Sequence, residues 1–264
     1  MAYIQKAVSA VNNSQQSIDS NYCLLIPHYN HHEQLERFLP AIQSAGLPVL
    51  VVDDGSDTAS LTALLTMAAA NDWLEVEQLG KNQGKGVAVM HGIRIAAERG
   101  YTHVIQIDAD GQHNAADIAA MITISSNAPD QMVSGWPVFG DDIPLARLKG
   151  RKLSLYLVRL ETLSGKIEDA MCGFRVYPCD AMLALHRRWP VGARMQFDLE
   201  VLVRWMWAGR DISFMKTKVQ YPEQGLSHFR MVSDNIQIGW MHTRLVIGML
   251  LLSPLLLGRK LLKK

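Results

Sequence analysis

Two aspartates one residue apart stand out in the stretch THVIQIDADGQHNAADI, residues 102–118. An apolar, strand-like run from Val104 to Ile107 stops abruptly at Asp108-Ala109-Asp110. Carboxylates so placed at the end of a buried strand repel one another unless something positive sits between them. In an extended turn both can converge on one cation. Hard divalent ions such as Mg2+ or Mn2+ take oxygen ligands, keep water and are commonly shared with substrate phosphates. Gln112 would add a neutral oxygen, and His113 a nitrogen suited to Mn2+. The plainer role for such acids is helix capping, but Asn114 can cap the helix that HNAADI begins, which leaves both aspartates free.

A second acid pair, Asp53-Asp54, closes the apolar run Val49–Val52 ahead of Gly55 and Ser56. A carboxylate at such a strand end can accept hydrogen bonds from a base N–H or a ribose hydroxyl. Capping of the next helix falls to Asp57 or Thr58. The segment KNQGKG, Lys81 to Gly86, is a glycine-containing loop opening a helix, where backbone N–H groups and Lys85 favour an anion. It lacks the spacing of a Walker-type phosphate loop, and the first strand lacks G-x-G-x-x-G, which weighs against a nicotinamide or flavin enzyme.

The elements that must position these residues alternate along the chain. From Tyr22, YCLLIPHYN reads as a strand and HHEQLERFLPAIQSAG as a helix with Leu35, Phe38, Leu39 and Ile42 at helical spacing, stopped at Gly46. LPVLVVDDGSD is a buried strand, TASLTALLTMAAAND a helix and WLEVEQL a strand. GKGVAVMHGIRIAAERG is a helix, THVIQI a strand, DIAAMITISS a helix and DQMVSG a short strand. This rhythm predicts an α/β fold, a mostly parallel sheet with helices on both faces. Ligands of such sheets collect at the carboxyl ends of the strands, where the acid pairs and Pro27 to Asn30 fall. Beyond Trp136 the pattern changes to a long basic amphipathic helix, IPLARLKGRKLSLYLVRLETLSGK, and then EDAMCGFRVYP and MQFDLEVLVRWMWAG. His103, His186, Trp205 and Trp207 read as packing or surface residues, and Met195, Met206 and Met215 as core.

The bulk properties bound the function. With 264 residues, 48% hydrophobic and a formal charge of +1, the chain fits one large α/β domain or two small ones, with ample core, and a nucleic-acid binder working through a broad basic face is disfavoured. Cys23, Cys172 and Cys179, an odd number without C-x-x-C, read as free thiols of a reducing compartment. Residues 1–20 read as a loose polar tail with no signal-peptide pattern, residues 21–232 as one continuous domain and residues 233–264 as a helical appendage. In that appendage the apolar run Leu245–Leu257 falls short of the roughly 20 residues of a transmembrane helix, and Pro254 is expected to break it. Arg244, Arg259, Lys260, Lys263 and Lys264 flank it, and Trp240 precedes it, a composition suited to an anionic membrane surface. The expectation is a peripheral anchor on the inner face of the cytoplasmic membrane. Packing on the domain or forming a homodimer are the alternatives.

IPHYN, VVDDGSD, NQGKG, DADGQH, DAMCGFR and GLSHFR occur in an order and spacing that resembles family-2 glycosyltransferases of GT-A fold, most closely the dolichyl-phosphate mannose or glucose synthase branch. The likeness runs from about Tyr22 to Arg230. It implies a nucleotide-sugar donor (a UDP- or GDP-sugar), a divalent cation on its diphosphate and inversion at the anomeric carbon. Carried over by motif, Pro27, Tyr29 and Asp53 would line the nucleoside pocket, and Lys85 stands in the G-K-G element. Asp108, Asp110 and Gln112 match the metal-binding D-x-D-x-Q, with Asp108 also near the donor. Asp169 and Gly173 match an acceptor-side element, and Ser227 and Arg230 a loop over the donor phosphates. A hydroxyl acceptor would need a general base, first Asp198 and then Asp169, whereas a phosphate acceptor would need none. Arg175, Arg230 and Lys85 are cations available to the leaving diphosphate. The chain departs from the family pattern at His31, at His228 and at Glu223-Gln224. Membrane docking would suit a lipid-linked acceptor, a polyprenyl phosphate or glycolipid. A nucleotidyltransferase and an inactive membrane-bound module are the competing readings.

Overall fold

The computed structural model describes residues 21–140, 145–219 and 231–262. Seven strands form one sheet: β1 (Tyr22–His28), β2 (Val49–Asp53), β3 (Leu74–Gln78), β4 (His103–Gln106), β5 (Met132–Val138), β6 (Arg175–Pro178) and β7 (Ile212–Lys218). Their order is β3-β2-β1-β4-β6-β5-β7. All neighbours run parallel except β6, which pairs antiparallel with both β4 and β5. Every residue of β2 is buried, as a strand covered on two faces requires, whereas β3 at the sheet edge is buried only at Leu74.

The pleat sorts the core into two layers. On β1, Cys23 and Leu25 face one apolar cluster, while Tyr22, Leu24 and Ile26 face the other. Helices α1 (His32–Gln43), α2 (Thr58–Ala70) and α4 (Ile118–Asn127) cover the second face. The first is covered by α3 (Lys85–Glu98), α6 (Cys179–Arg188) and α7 (Phe197–Trp207), with α5 (Leu145–Glu161) and α8 (Met231–Leu262) beyond them. Leu35, Phe38, Leu39 and Ile42 are the buried residues of α1, as their spacing predicts. Asp57 caps α2 by accepting the Ser60 N–H at 2.8 Å, and Asn114 accepts the Ala116 N–H, so neither capping duty falls on the acid pairs. His103 stacks on Tyr22, and the indoles of Trp205 and Trp207 donate to the carbonyls of Asp211 and Glu161, in line with packing roles.

The C-terminal helix corrects two expectations. It is continuous over 32 residues through Pro254. Proline lacks the N–H that would bind the Leu250 carbonyl four residues back, and the Ser253 hydroxyl donates to that carbonyl instead, at 2.8 Å. With the helix unbroken, its stretch Val232–Arg259 spans 28 residues and contains an 18-residue window of mean hydropathy 1.5, long and apolar enough by composition to cross a membrane. Only its outer stripe is exposed, however. Met241, Leu245, Met249 and Leu256 are buried in the same cluster as α3 and α7, each worth roughly 1.5–3 kcal/mol. Arg259 donates to the Trp207 carbonyl, and His242 bonds Glu161 at 2.7 Å. The opposite stripe, including Ile236, Trp240, Ile247, Leu250 and Leu251, is exposed.

Candidate active site

A cleft of about 410 Å3 opens at the carboxyl ends of β1 and β4. Strand β1 contributes Pro27 and His28, and the loop after it Tyr29, Asn30 and His31. Asn30 sits at φ 53, in the left-handed region that Asn tolerates better than most residues. Its N–H donates to the Ser56 hydroxyl and its side-chain oxygen accepts the Asp57 N–H, so the two strand-end loops are clamped together.

The acid pair after β2 is committed to building the site. Asp54 accepts the N–H groups of Gln83 and Gly84 at 2.6 and 2.7 Å, which pins the NQGKG loop against the strand end. Burial raises its pKa, and these bonds offset only part of that rise. Asp53 is buried, accepts from the Ser56 N–H, and faces His28 Nδ1 at 3.1 Å. The His31 N–H donates to His28 Nε2, so Nδ1 carries the ring proton that goes to Asp53. Burial works to raise the Asp53 pKa, but the bonds from His28 and Ser56 prevail and hold it below the usual carboxylate range. Asp54, rather than Asp53, forms part of the cleft wall.

Lys85, the first residue of α3, reaches the other acid pair. Its ammonium lies 2.9 Å from Asp108 and 2.8 Å from Asp198 at the start of α7. Burial alone would lower the Lys85 pKa, yet the two carboxylates carry it far above the ordinary lysine range, and it is charged. Asp108 is correspondingly held down: burial opposes ionisation, and Lys85 overcomes it. Asp110 has no such partner. It accepts the Gln112 backbone N–H at 3.0 Å, and its pKa is pushed up to about 6, first by burial and then by Asp108. One Asp198 oxygen, Oδ1, is buried without a hydrogen-bond partner among the described residues, as is His113 Nδ1.

Gly173 explains how closely these groups are set. A Cβ there would run into the Asp108 carboxylate and the Lys85 ammonium. Gly84 is constrained similarly, at φ 104 with the Ala193 carbonyl where a side chain would go. The segment ahead of α7 thereby closes one side of the cleft with Arg194 and Met195, and Arg194 donates to Asn82 at 3.0 Å.

Of the residues singled out in the sequence, Pro27, Tyr29, Lys85, Asp108 and Asp110 line one cleft, with Asp198 bound to Lys85 behind it. Gln112 meets Asp110 through its backbone. Asp169 is placed differently. Arg151 donates to both its oxygens, and the N–H groups of Met171 and Cys172 bond Oδ1, so it organises its loop. Arg175 is fully buried and ties β6 to the carbonyls of Asp198 and Ala170. Glu200 accepts from Arg204 and from the Gly192 N–H. Ser227, His228 and Arg230 lie outside the described residues. Arg194, Asn82, Met195 and Asp234 are cleft residues that the sequence reading did not single out, and Met195 was assigned to the core. Arg194 lies four residues ahead of Asp198, and that cation before an acidic helix start was the available signal. For Asp234, on the first turn of α8, there was none.

The donor set fits a hard divalent ion that keeps most of its water. Asp108 and Asp110 offer carboxylates to one cleft, and no group of three or more His, Cys, Asp or Glu side chains suited to a protein-only cage is present among the described residues.

The family model described as glycosyl transferase family 2 matches residues 23–185. Polyprenol monophosphomannose synthase of Mycolicibacterium smegmatis is 26% identical over 223 residues, 81% of this chain and 82% of that protein. Undecaprenyl-phosphate mannosyltransferase of Micrococcus luteus is 29% identical over 173 residues, 61% of this chain and 68% of that protein. Among solved structures, a mycobacterial protein superposes with a TM-score of 0.61 at 16% identity, over 90% of this chain and 76% of that one. S. aureus TarS 1-349 in complex with UDP-GlcNAc superposes with a TM-score of 0.55 at 15% identity, and this chain covers 85% of itself and 66% of TarS 1-349.

Proposed function

The chain belongs to glycosyl transferase family 2, and from that premise we propose that it is a metal-dependent, inverting transferase moving a hexose-type sugar from a UDP- or GDP-sugar to a lipid-linked acceptor, a polyprenyl phosphate in the first instance. The observation that carries this reading is the convergence of Asp108 and Asp110 with Lys85 and Arg194 in one cleft at the carboxyl ends of β1 and β4. The polyprenyl-phosphate acceptor is supported by what the two mannosyl-transferring relatives are named for.

Pro27 and Tyr29 form the wall suited to the nucleoside, while Asp54 and the N–H groups it holds fix the NQGKG loop beside it. Asp108 and Asp110 would hold Mg2+ or Mn2+, which when bound supplies positive charge to the leaving diphosphate. Arg194 and Lys85 are placed to add to that charge. The bond from the anomeric carbon to the diphosphate breaks as the acceptor oxygen bonds to that carbon from the opposite face. A phosphate oxygen attacks without losing a proton. A hydroxyl would lose one, and Asp198, with one oxygen unengaged, is better placed to take it than Asp169, whose oxygens are occupied.

The outer stripe of α8 is exposed and apolar, Leu153 and Tyr156 are exposed on the neighbouring α5, and the same two helices carry the exposed basic residues Lys152 and Arg244. Such a surface with basic flanks suits an anionic bilayer. The building of the inner stripe into the core supports a helix lying along the membrane surface rather than across it. Asp234 brings the start of the same helix to the cleft, near where a bilayer-bound acceptor arrives.

The test is calorimetric titration with UDP, GDP, CDP and TDP, with Mn2+ and then with EDTA. Metal-dependent binding of one nucleotide is the expected result and identifies the donor base. A folded protein that binds none of them would remove the proposal.

A further inference from the structure

The positive charge between the acids in this structure is Lys85, and its position is that of a competitor. The ammonium bonds Asp108 and Asp198 at once, at 2.9 and 2.8 Å, and Gly173 packs so closely on the Asp108 carboxylate and the ammonium that even a Cβ there would clash with both. Asp110 lies outside this bridge. A divalent cation sharing Asp108 with Asp110 therefore approaches a carboxylate that already has its counter-ion, and two cations on one carboxylate repel one another.

We propose that Lys85 is an exchangeable internal counter-ion that orders the site's events. In the donor-free protein it neutralises Asp108, weakening binding of a bare divalent ion, and through Oδ2 it neutralises Asp198, so that the unengaged Oδ1 is a poorer proton acceptor. A nucleoside diphosphate offers the ammonium a second anion. Lys85 turns from Asp108 and Asp198 to that anion, and the same movement frees Asp108 for the metal and Asp198 for the acceptor side. Metal and diphosphate thus enter together, and Asp198 becomes available only after the donor is in place. This deepens the reading above, since it rests on Asp108 and Asp110 being the metal's carboxylates.

The logic has a consequence that an ordinary structural ion pair does not share: removing the lysine charge improves metal binding. Binding of Mn2+ alone, followed by the electron paramagnetic resonance signal of the free ion, should tighten about tenfold or more in Lys85→Met and stay at the wild-type level in Lys85→Arg. At saturating Mn2+, affinity of Lys85→Met for the preferred nucleoside diphosphate should fall about tenfold, since a charge-assisted contact is lost. Lys85→Met leaves the buried Asp198 and the half-buried Asp108 carboxylates facing one another, so the double variant Lys85→Met/Asp198→Asn guards against a failure to fold by removing one charge of each sign. It too should bind bare Mn2+ more tightly than wild type, although loss of an acid alone would weaken binding. Unchanged or weaker Mn2+ binding in the folded variants, with wild type still binding Mn2+ together with UDP or GDP, overturns the counter-ion proposal alone. Absence of Mn2+ binding in wild type with every nucleoside diphosphate overturns the metal reading and this proposal together.

Discussion

Two acid pairs stand at the ends of strands that flank β1, and the protein treats them in opposite ways. After β2, Asp53 and Asp54 give their carboxylates to the protein itself: His28 and Ser56 on one, the Gln83 and Gly84 N–H groups on the other. After β4, Asp108 leans on a lysine that it shares with Asp198, and Asp110 has one backbone N–H for a half-buried carboxylate. Buried charge is costly unless paired and hydrogen-bonded. The first pair meets that condition and builds walls. The second meets it only in part, and the unmet part is capacity for a ligand. Acidity at a strand end therefore says little by itself; what separates scaffold from site is whether the oxygens are already taken.

The comparison can be broken most directly at Asp110. Replacing it with Asn should reduce sugar transfer about a thousandfold, the scale of a lost electrostatic contribution to the transition state. Thermal unfolding at pH 7 should show no loss of stability, because the fold disfavours the ionised Asp110. A clear drop in melting temperature would place Asp110 with the scaffold. Asp54→Ala should do the reverse. It strands the buried Gly84 N–H and the part-buried Gln83 N–H, and urea unfolding should register a loss of about 2–3 kcal/mol. Stability equal to wild type would show that the NQGKG loop holds without it.

Asp53 sharpens the contrast through pH. Its folded pKa lies below that of the unfolded chain, so its contribution is fully present above the ordinary Asp value of about 3.9 and is lost as pH falls through the folded value. Wild type should therefore lose stability on acidification over that range more steeply than Asp53→Asn, as followed by urea midpoints. Parallel curves would remove His28 and Ser56 as its stabilising partners. The smallest effect belongs to the acid outside both pairs: Asp57→Ala should cost about 1 kcal/mol as a lost helix cap, with transfer unchanged.

What could be read in the sequence was what repeats locally. The spacing of Leu35, Phe38, Leu39 and Ile42 gave α1, and continuous apolar runs closed by acids gave β2 and β4. The insertion of β6 antiparallel between β4 and β5 left no local trace, since its pairing with strands about 40 to 75 residues earlier is a long-range choice. For the same reason the reach of Lys85 to Asp198, 113 residues away, was invisible, although both residues were singled out separately. Asp53 and Asp54 could not be ranked from the sequence, because adjacent residues of a strand face opposite ways and the register decides which meets the cleft. Pro254 misled for a local reason: a helix breaker was counted without the serine beside it that takes over the orphaned carbonyl.

That unbroken helix bears on how the protein would be handled. A long apolar C-terminal segment invites trimming to improve solubility, with the cut placed where the tail begins. Here such a deletion would strip Met241, Leu245 and Met249 from the core, leave Glu161 without His242 and uncover the indole of Trp207 that rests on Gly248. The shortened chain should aggregate more readily than the full one. Detergent or lipid that covers the outer stripe is the route to a well-behaved sample, because the exposed apolar surface and the hydrophobic core are two sides of one helix.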